Sequence, residues 1–177
     1  MEMHLDRSRM LAAWKLHRAF EPLRNDSSVT RTDGIDLDDL LSAEMDLWYV
    51  NLLLTAPEHL LVPEDIAATT EIGKTERGAT VVTLPPNTLR ILEVKLSSWA
   101  QAAKVVLPGT PAAIRQCSPW TRATADAPVA VKCGDTLRLY PAASYGDALE
   151  SLRCIVHRLG EYTFMHSALS LIPAFNP

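Results

Sequence analysis

Ala68-Thr69-Thr70-Glu71-Ile72-Gly73-Lys74-Thr75 fits the loose form of a phosphate-binding loop, with alanine in place of the first glycine. That chemistry needs backbone amides that cradle phosphates, a lysine on the terminal phosphates and a hydroxyl on magnesium. The surroundings do not match. Pro63-Glu64-Asp65 precedes the segment instead of a buried strand, and Gly78 with a β-rich run follows instead of a helix. The segment therefore reads as a solvated loop. Asp33-Gly34-Ile35-Asp36-Leu37-Asp38-Asp39 has the acidic look of a calcium loop. Its glycine comes too early and leucines fall on ligand positions, so these carboxylates read as a helix start. The histidines His4, His17, His59, His157 and His166 make no close pair at metal-ligand spacing. Cys117, Cys133 and Cys154 are odd in number and lack the spacing of a metal or redox motif, so they read as reduced, buried thiols. A base–nucleophile pair of His157 with Cys117 or Cys133 has no local context in its favour. No serine has a nucleophile-elbow setting. The expectation is a protein that is not an enzyme, with no catalytic residue, no cofactor and no metal.

Four tryptophans are the next candidates, for contact rather than catalysis. Tryptophan is common both in cores and in interface hot spots. Trp48 lies between two apolar stripes of a helix and reads first as core, while Trp99 and Trp120 are flanked by polar and proline positions. The candidate interface residues are Trp48, Leu52, Leu54, Trp99 and Trp120.

The elements that must position them follow from periodicity. Residues 4–20 read as a helix, with Leu5, Ala12, Leu16 and Ala19 near helical spacing. The next helix is the strongest: Asp36 caps it, and Asp38 and Asp39 favour its positive end. Leu37, Leu41, Met45, Trp48 and Leu52 form one stripe, and Leu40, Ala43, Leu47, Val50 and Leu54 form a second. A helix apolar on both sides must be covered on several sides, by its own domain or by a neighbouring subunit. Pro63 should open a short helical turn. Strands are expected at 79–84, 89–96 and 104–107, and again at 152–156. Thr110-Pro111 should cap a short helix. Val129 to Tyr140 reads as a hairpin turning at Gly134-Asp135. Leu159, Tyr162, Met165 and Leu169 fit a terminal helix. The expected class is α+β: an N-terminal helical hairpin, a small antiparallel β-sheet region and a C-terminal helix. The expected regions are helical (1–72), β-rich and packed on it (73–157) and a C-terminal helix or tail (158–177), forming one structural unit.

Apolar residues make up 47% and charged residues 21% of the 177, an ordinary globular composition. Twelve prolines against seven glycines argue for stiff, extended connections. The net charge of −4 is no footprint for general nucleic-acid binding. The charge is uneven. Asp33, Asp36, Asp38, Asp39, Glu44 and Asp46 cluster with only Arg31 nearby, whereas from Arg90 to Arg158 bases outnumber acids nine to five. The acidic run reads as a solvated face, as one partner in head-to-tail pairing of subunits, or as a lining past which DNA slides. No signal-peptide core is evident, and the apolar run from Leu52 to Leu54 is far too short to span a bilayer, so neither secretion nor a membrane is expected.

From Leu84-Pro85-Pro86 through the alternating Leu89–Leu96 to Trp99, the chain resembles the ring, or adaptor, proteins beneath the portal of short-tailed phages, especially crAss-like gut phages. Gln116-Cys117-Ser118-Pro119-Trp120-Thr121-Arg122, Pro128-Val129-Ala130 and Leu137-Arg138-Leu139-Tyr140-Pro141 are similar to later blocks of that pattern, in order. Upstream, Leu47-Trp48-Tyr49 and Leu60-Leu61-Val62-Pro63 are similar too, so the resemblance covers roughly residues 37 to 141. It implies a structural virion protein at the head–tail junction, assembled in the host cytoplasm. Such a subunit forms a cyclic homo-oligomer of on the order of twelve copies. Its partners would be the portal protein, neighbouring tail or ring proteins, and genomic DNA that passes through the lumen during ejection without specific binding. The alternatives are a small enzyme and a protein-binding module.

Overall fold

A computed structural model of the chain describes residues 1–17, 37–76 and 78–172. In chain order the elements are β1 Glu2–Asp6, α1 Arg7–His17, α2 Leu37–Thr55, β2 Glu64–Asp65, β3 Ile72–Glu76, β4 Ala79–Thr83, β5 Thr88–Leu96 and β6 Lys104–Val106. Then come α3 Pro111–Arg115, β7 Val129–Cys133, β8 Thr136–Tyr140, β9 Leu149–Val156 and β10 Glu161–Met165. Short 3-10 turns occupy Glu58–Leu60, Ala67–Thr69 and His166–Leu171. The expected α+β class does not hold. The described residues are mostly β, with three sheets of two, three and five strands, and the C-terminal helix is replaced by a strand and a 3-10 turn. Two compact units form, one from Met1–Val62 with His157–Pro177 and one from Pro63–Val156.

The first unit is built around α2. Its inward stripe holds, since Leu41, Met45 and Leu52 are buried, joined by Tyr49 and Leu53. β1 and β10 pair antiparallel, Glu2 opposite Met165 and Asp6 opposite Glu161. β10 and the last three residues of β1 lie where helix was expected. In β10 the buried pair is Tyr162 and Phe164, two apart, so aromatic alternation overrides the looser helical spacing of Leu159, Tyr162, Met165 and Leu169. Asp6 then starts α1: its carboxylate accepts from the Arg9 amide at 2.8 Å and the Ser8 hydroxyl at 2.7 Å. Those two donors, the amide first, hold its carboxyl below the usual range. The buried face of α1 is Met10 and Trp14; Leu16, in the expected stripe, is exposed. The expected end of that helix, residues 18–20, lies outside the described residues, as does the Asp36 cap.

Aromatic rings join these elements. Trp48 lies 5.5 Å from Trp14 and 6.0 Å from Phe164, and Tyr49 lies 5.0 Å from Tyr162, centroid to centroid. Asp46 accepts from the Tyr162 hydroxyl and pairs with Arg7 at 3.2 Å. The Tyr49 hydroxyl accepts from the Thr163 amide at 2.9 Å and donates to its carbonyl at 3.3 Å. Burial, with the Asp46 carboxylate second, pushes the Tyr162 hydroxyl far above its ordinary value of 10.0.

The second unit has two sheets. The order β2-β9-β5 is antiparallel; the order β3-β4-β8-β7-β6 is antiparallel except for β6, which runs parallel to β7. Val82, Val94, Leu96, Leu137, Leu139 and Leu152, drawn from both sheets, form one buried cluster with Trp99, so the sheets pack face to face. The hairpin turns at Gly134-Asp135 as expected, with Gly134 at φ 59 and Cys133 opposite Thr136. Two short segments differ from expectation. Glu64–Asp65 is not a helical turn but a strand paired to β9, and Ile72–Glu76 is not a loop but the edge strand β3. Isolated short segments carry little signal of their own, and the pairing partner decides them.

Two outcomes test this fold. Tyr162→Phe should destabilise the protein by about 1–2 kcal/mol in urea unfolding, because it removes a hydrogen bond from a buried hydroxyl to the partly exposed Asp46 carboxylate. Tyr162 has a raised folded pKa, so its contribution is complete below about pH 10 and falls as pH rises beyond it. The wild type should therefore lose stability in that alkaline window more steeply than Tyr162→Phe. Gly78 has φ 78, and a Cβ there would strike the Arg122 guanidinium. Gly78→Ala should cost about 1–2 kcal/mol or more in the same assay.

Candidate functional site

The inward stripe of α2 is covered, and the outward stripe is not. Leu40, Leu47 and Leu54 are 49%, 73% and 47% exposed. Ala43 is also exposed, and Val50 is half-buried. Their spacing puts them on one side of the helix. Asp39 and Glu44 flank that side, by the same helical geometry. Full burial of a leucine is worth about 1.5–3 kcal/mol, so each of these forgoes roughly half of that or more. Three along one helix make an exposed apolar stripe rather than scattered surface apolar residues.

A second apolar display sits in the second unit, on residues 107–123. Leu107, Ile114 and Trp120 are exposed there, Trp120 at 94%. The segment is held by its own hydrogen bonds. Thr110 caps α3, its hydroxyl accepting from the Ala113 amide at 3.3 Å, as the Thr110-Pro111 pair predicts. Gln116 is buried and acts as a staple. Its side chain accepts from the Ala123 amide at 2.8 Å and donates to the Ala112 carbonyl at 2.9 Å. The Gln116 carbonyl accepts from Arg122 Nε at 3.1 Å, and the Thr121 hydroxyl donates to the Arg115 carbonyl at 2.7 Å. Ala113 and Ala123 pack on Ala79, Val131 and Tyr140 of the five-stranded sheet. The small residues face the sheet, and the large ones face solvent. Trp120 is thus presented from a braced loop, which limits the entropy lost when it is covered.

The five interface candidates separate. Leu52 and Trp99 are 5% and 3% exposed and are covered by the chain itself. Trp48 is half-buried between Trp14 and Phe164, and its Nε1 donates to the Leu171 carbonyl at 3.4 Å. Leu54 and Trp120 are exposed. Leu40 and Leu47 belong with Leu54; their signal was the second stripe. Ile114 had no comparable signal, because only the packing of Ala113 and Ala123 turns it outward.

The chemical motifs take structural roles. Lys74 lies on β3 and no helix follows it, so the 68–75 segment does not form a phosphate cradle. A cleft of about 420 Å³ lies beside this segment, between Thr69–Gly73 and Thr83–Pro85. Among the described residues Glu71 is the charged member of its lining, and a carboxylate repels phosphate. Asp38 begins α2 and pairs with Lys15 of α1 at 2.6 Å. Cys154 is buried, Cys133 half-buried and Cys117 exposed, so the expectation of three buried thiols holds fully only for Cys154. His157 stacks 6.0 Å from Tyr49 in the first unit, whereas Cys117 and Cys133 belong to the second. Among the described residues no group of three or more His, Cys, Asp or Glu could hold a metal ion, and no helix is long and apolar enough to cross a membrane.

Comparison with known proteins finds no matching family model and no matching curated sequence.

The two buried and displayed tryptophans should behave differently. Trp99→Ala should destabilise the protein by about 3–5 kcal/mol, the usual cost of emptying a core site. Trp120→Ala should change stability by no more than about 0.5 kcal/mol. Urea unfolding of the two variants checks this.

Proposed function

We propose that this chain is an assembly protein whose work is done by docking surfaces. More specifically, we read it as a ring subunit of a short-tailed-phage head–tail connector. The carrying observation is the outward stripe of α2, with Leu40, Leu47 and Leu54 exposed on a helix whose inward residues Leu41, Met45, Tyr49 and Leu52 are buried. A subunit that binds neighbours needs such faces and needs no catalytic group. The sequence blocks from Leu84 to Trp99 and from Gln116 to Arg122 favour the connector over other assemblies. In this reading the protein belongs to the virion, joins the portal to the tail and lines the DNA channel. Its net charge of −4 suits a lumen that must not grip DNA, since few counterions would be released on contact.

Electron microscopy of the purified full chain, alone and mixed with portal rings, tests the reading. The expected result is closed particles with cyclic symmetry, on the order of twelve copies. A chain that stays monomeric in both conditions contradicts it. In a gel-shift assay at physiological salt, the assembled protein should not retain double-stranded DNA.

A further inference from the structure

We infer that the two exposed apolar surfaces are each other's partners: the outward stripe of α2 on one copy receives the Trp120 loop of another. This rests on the assembly reading above and names the surfaces that would carry it.

Charge decides the pairing. α2 carries no lysine or arginine; Asp38 and Asp46 are paired with Lys15 and Arg7 of the same unit, and Asp39 and Glu44 flank the outward stripe. Between Glu93 and Asp126 the chain has no aspartate or glutamate; Lys95 of that stretch is paired with Glu150, and Lys104, Arg115 and Arg122 remain on or near the loop. Lys104 and Arg115 are exposed, close in sequence to Leu107, Ile114 and Trp120. The charges that flank the stripe on its own helix are therefore carboxylates, and the exposed charges nearest the loop in sequence are cations. Two copies meeting stripe to stripe would bring carboxylates together, and two meeting loop to loop would bring cations together. Like charges at an interface disfavour both. Stripe to loop places leucines against tryptophan and isoleucine, with opposite charges at the rim. That contact is heterologous, so each copy offers one of each surface. Repetition closes into a ring or runs on as a filament, depending on the rotation per copy. The shapes suit this assignment as well: a flat row of leucines can receive a single large ring held out on a braced loop.

Two surface variants of the full chain test the pairing by sedimentation velocity. Leu47→Glu spoils the stripe and keeps the loop; Trp120→Glu spoils the loop and keeps the stripe. Each alone should self-associate at least about tenfold more weakly than wild type. Mixed one to one, they should form heterodimers and nothing larger, because one intact contact remains. Rising salt should weaken wild-type assembly. Circular dichroism checks folding, and Leu54→Glu replaces Leu47→Glu if that variant unfolds. The inference is overturned if either variant assembles like wild type, or if the mixture stays monomeric. Closed wild-type rings with unaffected variants remove this pairing and leave the connector reading. Open wild-type fibres with the expected variant behaviour keep the pairing and remove the ring. A wild type that is monomeric at its highest soluble concentration removes the pairing, and the connector reading falls with it only if portal rings also fail to assemble the chain.

Discussion

A helix of nineteen residues with leucines on two sides cannot satisfy both against one small unit, and α2 is that helix. Its inward side is packed through Leu41, Met45, Tyr49 and Leu52, and rings from α1 and β10 close around Trp48 and Tyr49. Asp46 adds a polar tie to Tyr162 and Arg7. Hydrophobic burial is roughly proportional to area removed from water, so a covered side stabilises the unit while an uncovered one stores binding capacity. The outward leucines thus follow from the same residue pattern that builds the core.

The second unit solves a different problem. Two face-to-face sheets bury Trp99 and the aliphatic cluster, and the outer face of the larger sheet is covered by the loop that carries α3. Alanines at 113 and 123 allow that loop to lie close. Gln116 satisfies backbone groups that the tight path would otherwise leave unpaired, which is the usual requirement for a buried polar side chain. The loop can then hold a tryptophan in solvent without losing its own shape. The second half of the phosphate-loop-like segment became an edge strand, because pairing with β4 holds Ile72 to Thr75 extended, and an extended strand cannot curl its amides around a phosphate.

Much of the local structure was legible in the residues. The α2 helix, the Gly134-Asp135 hairpin, the Thr110 cap and the strand ending at Leu96 each have a strong one-segment signal. The candidate site was legible in part. The second stripe of α2 was plain, and Trp120 was flagged, but Trp99 looked the same by its neighbours and is buried. Both tryptophans sit beside polar residues, and only the sheet-to-sheet packing separates them.

The sequence by itself determined the periods: 3.6 along α2, two along the longer strands, and the turn chemistry of glycine and proline between them. Tertiary structure alone decided β1, β2, β3 and β10. These are short segments whose backbone bonds close only with a distant partner, Glu2 with Met165 and Glu64 with Cys154 among them. It also decided which apolar side chains stay wet. Hydrophobicity is a property of a residue, whereas exposure is a property of what the rest of the chain places over it.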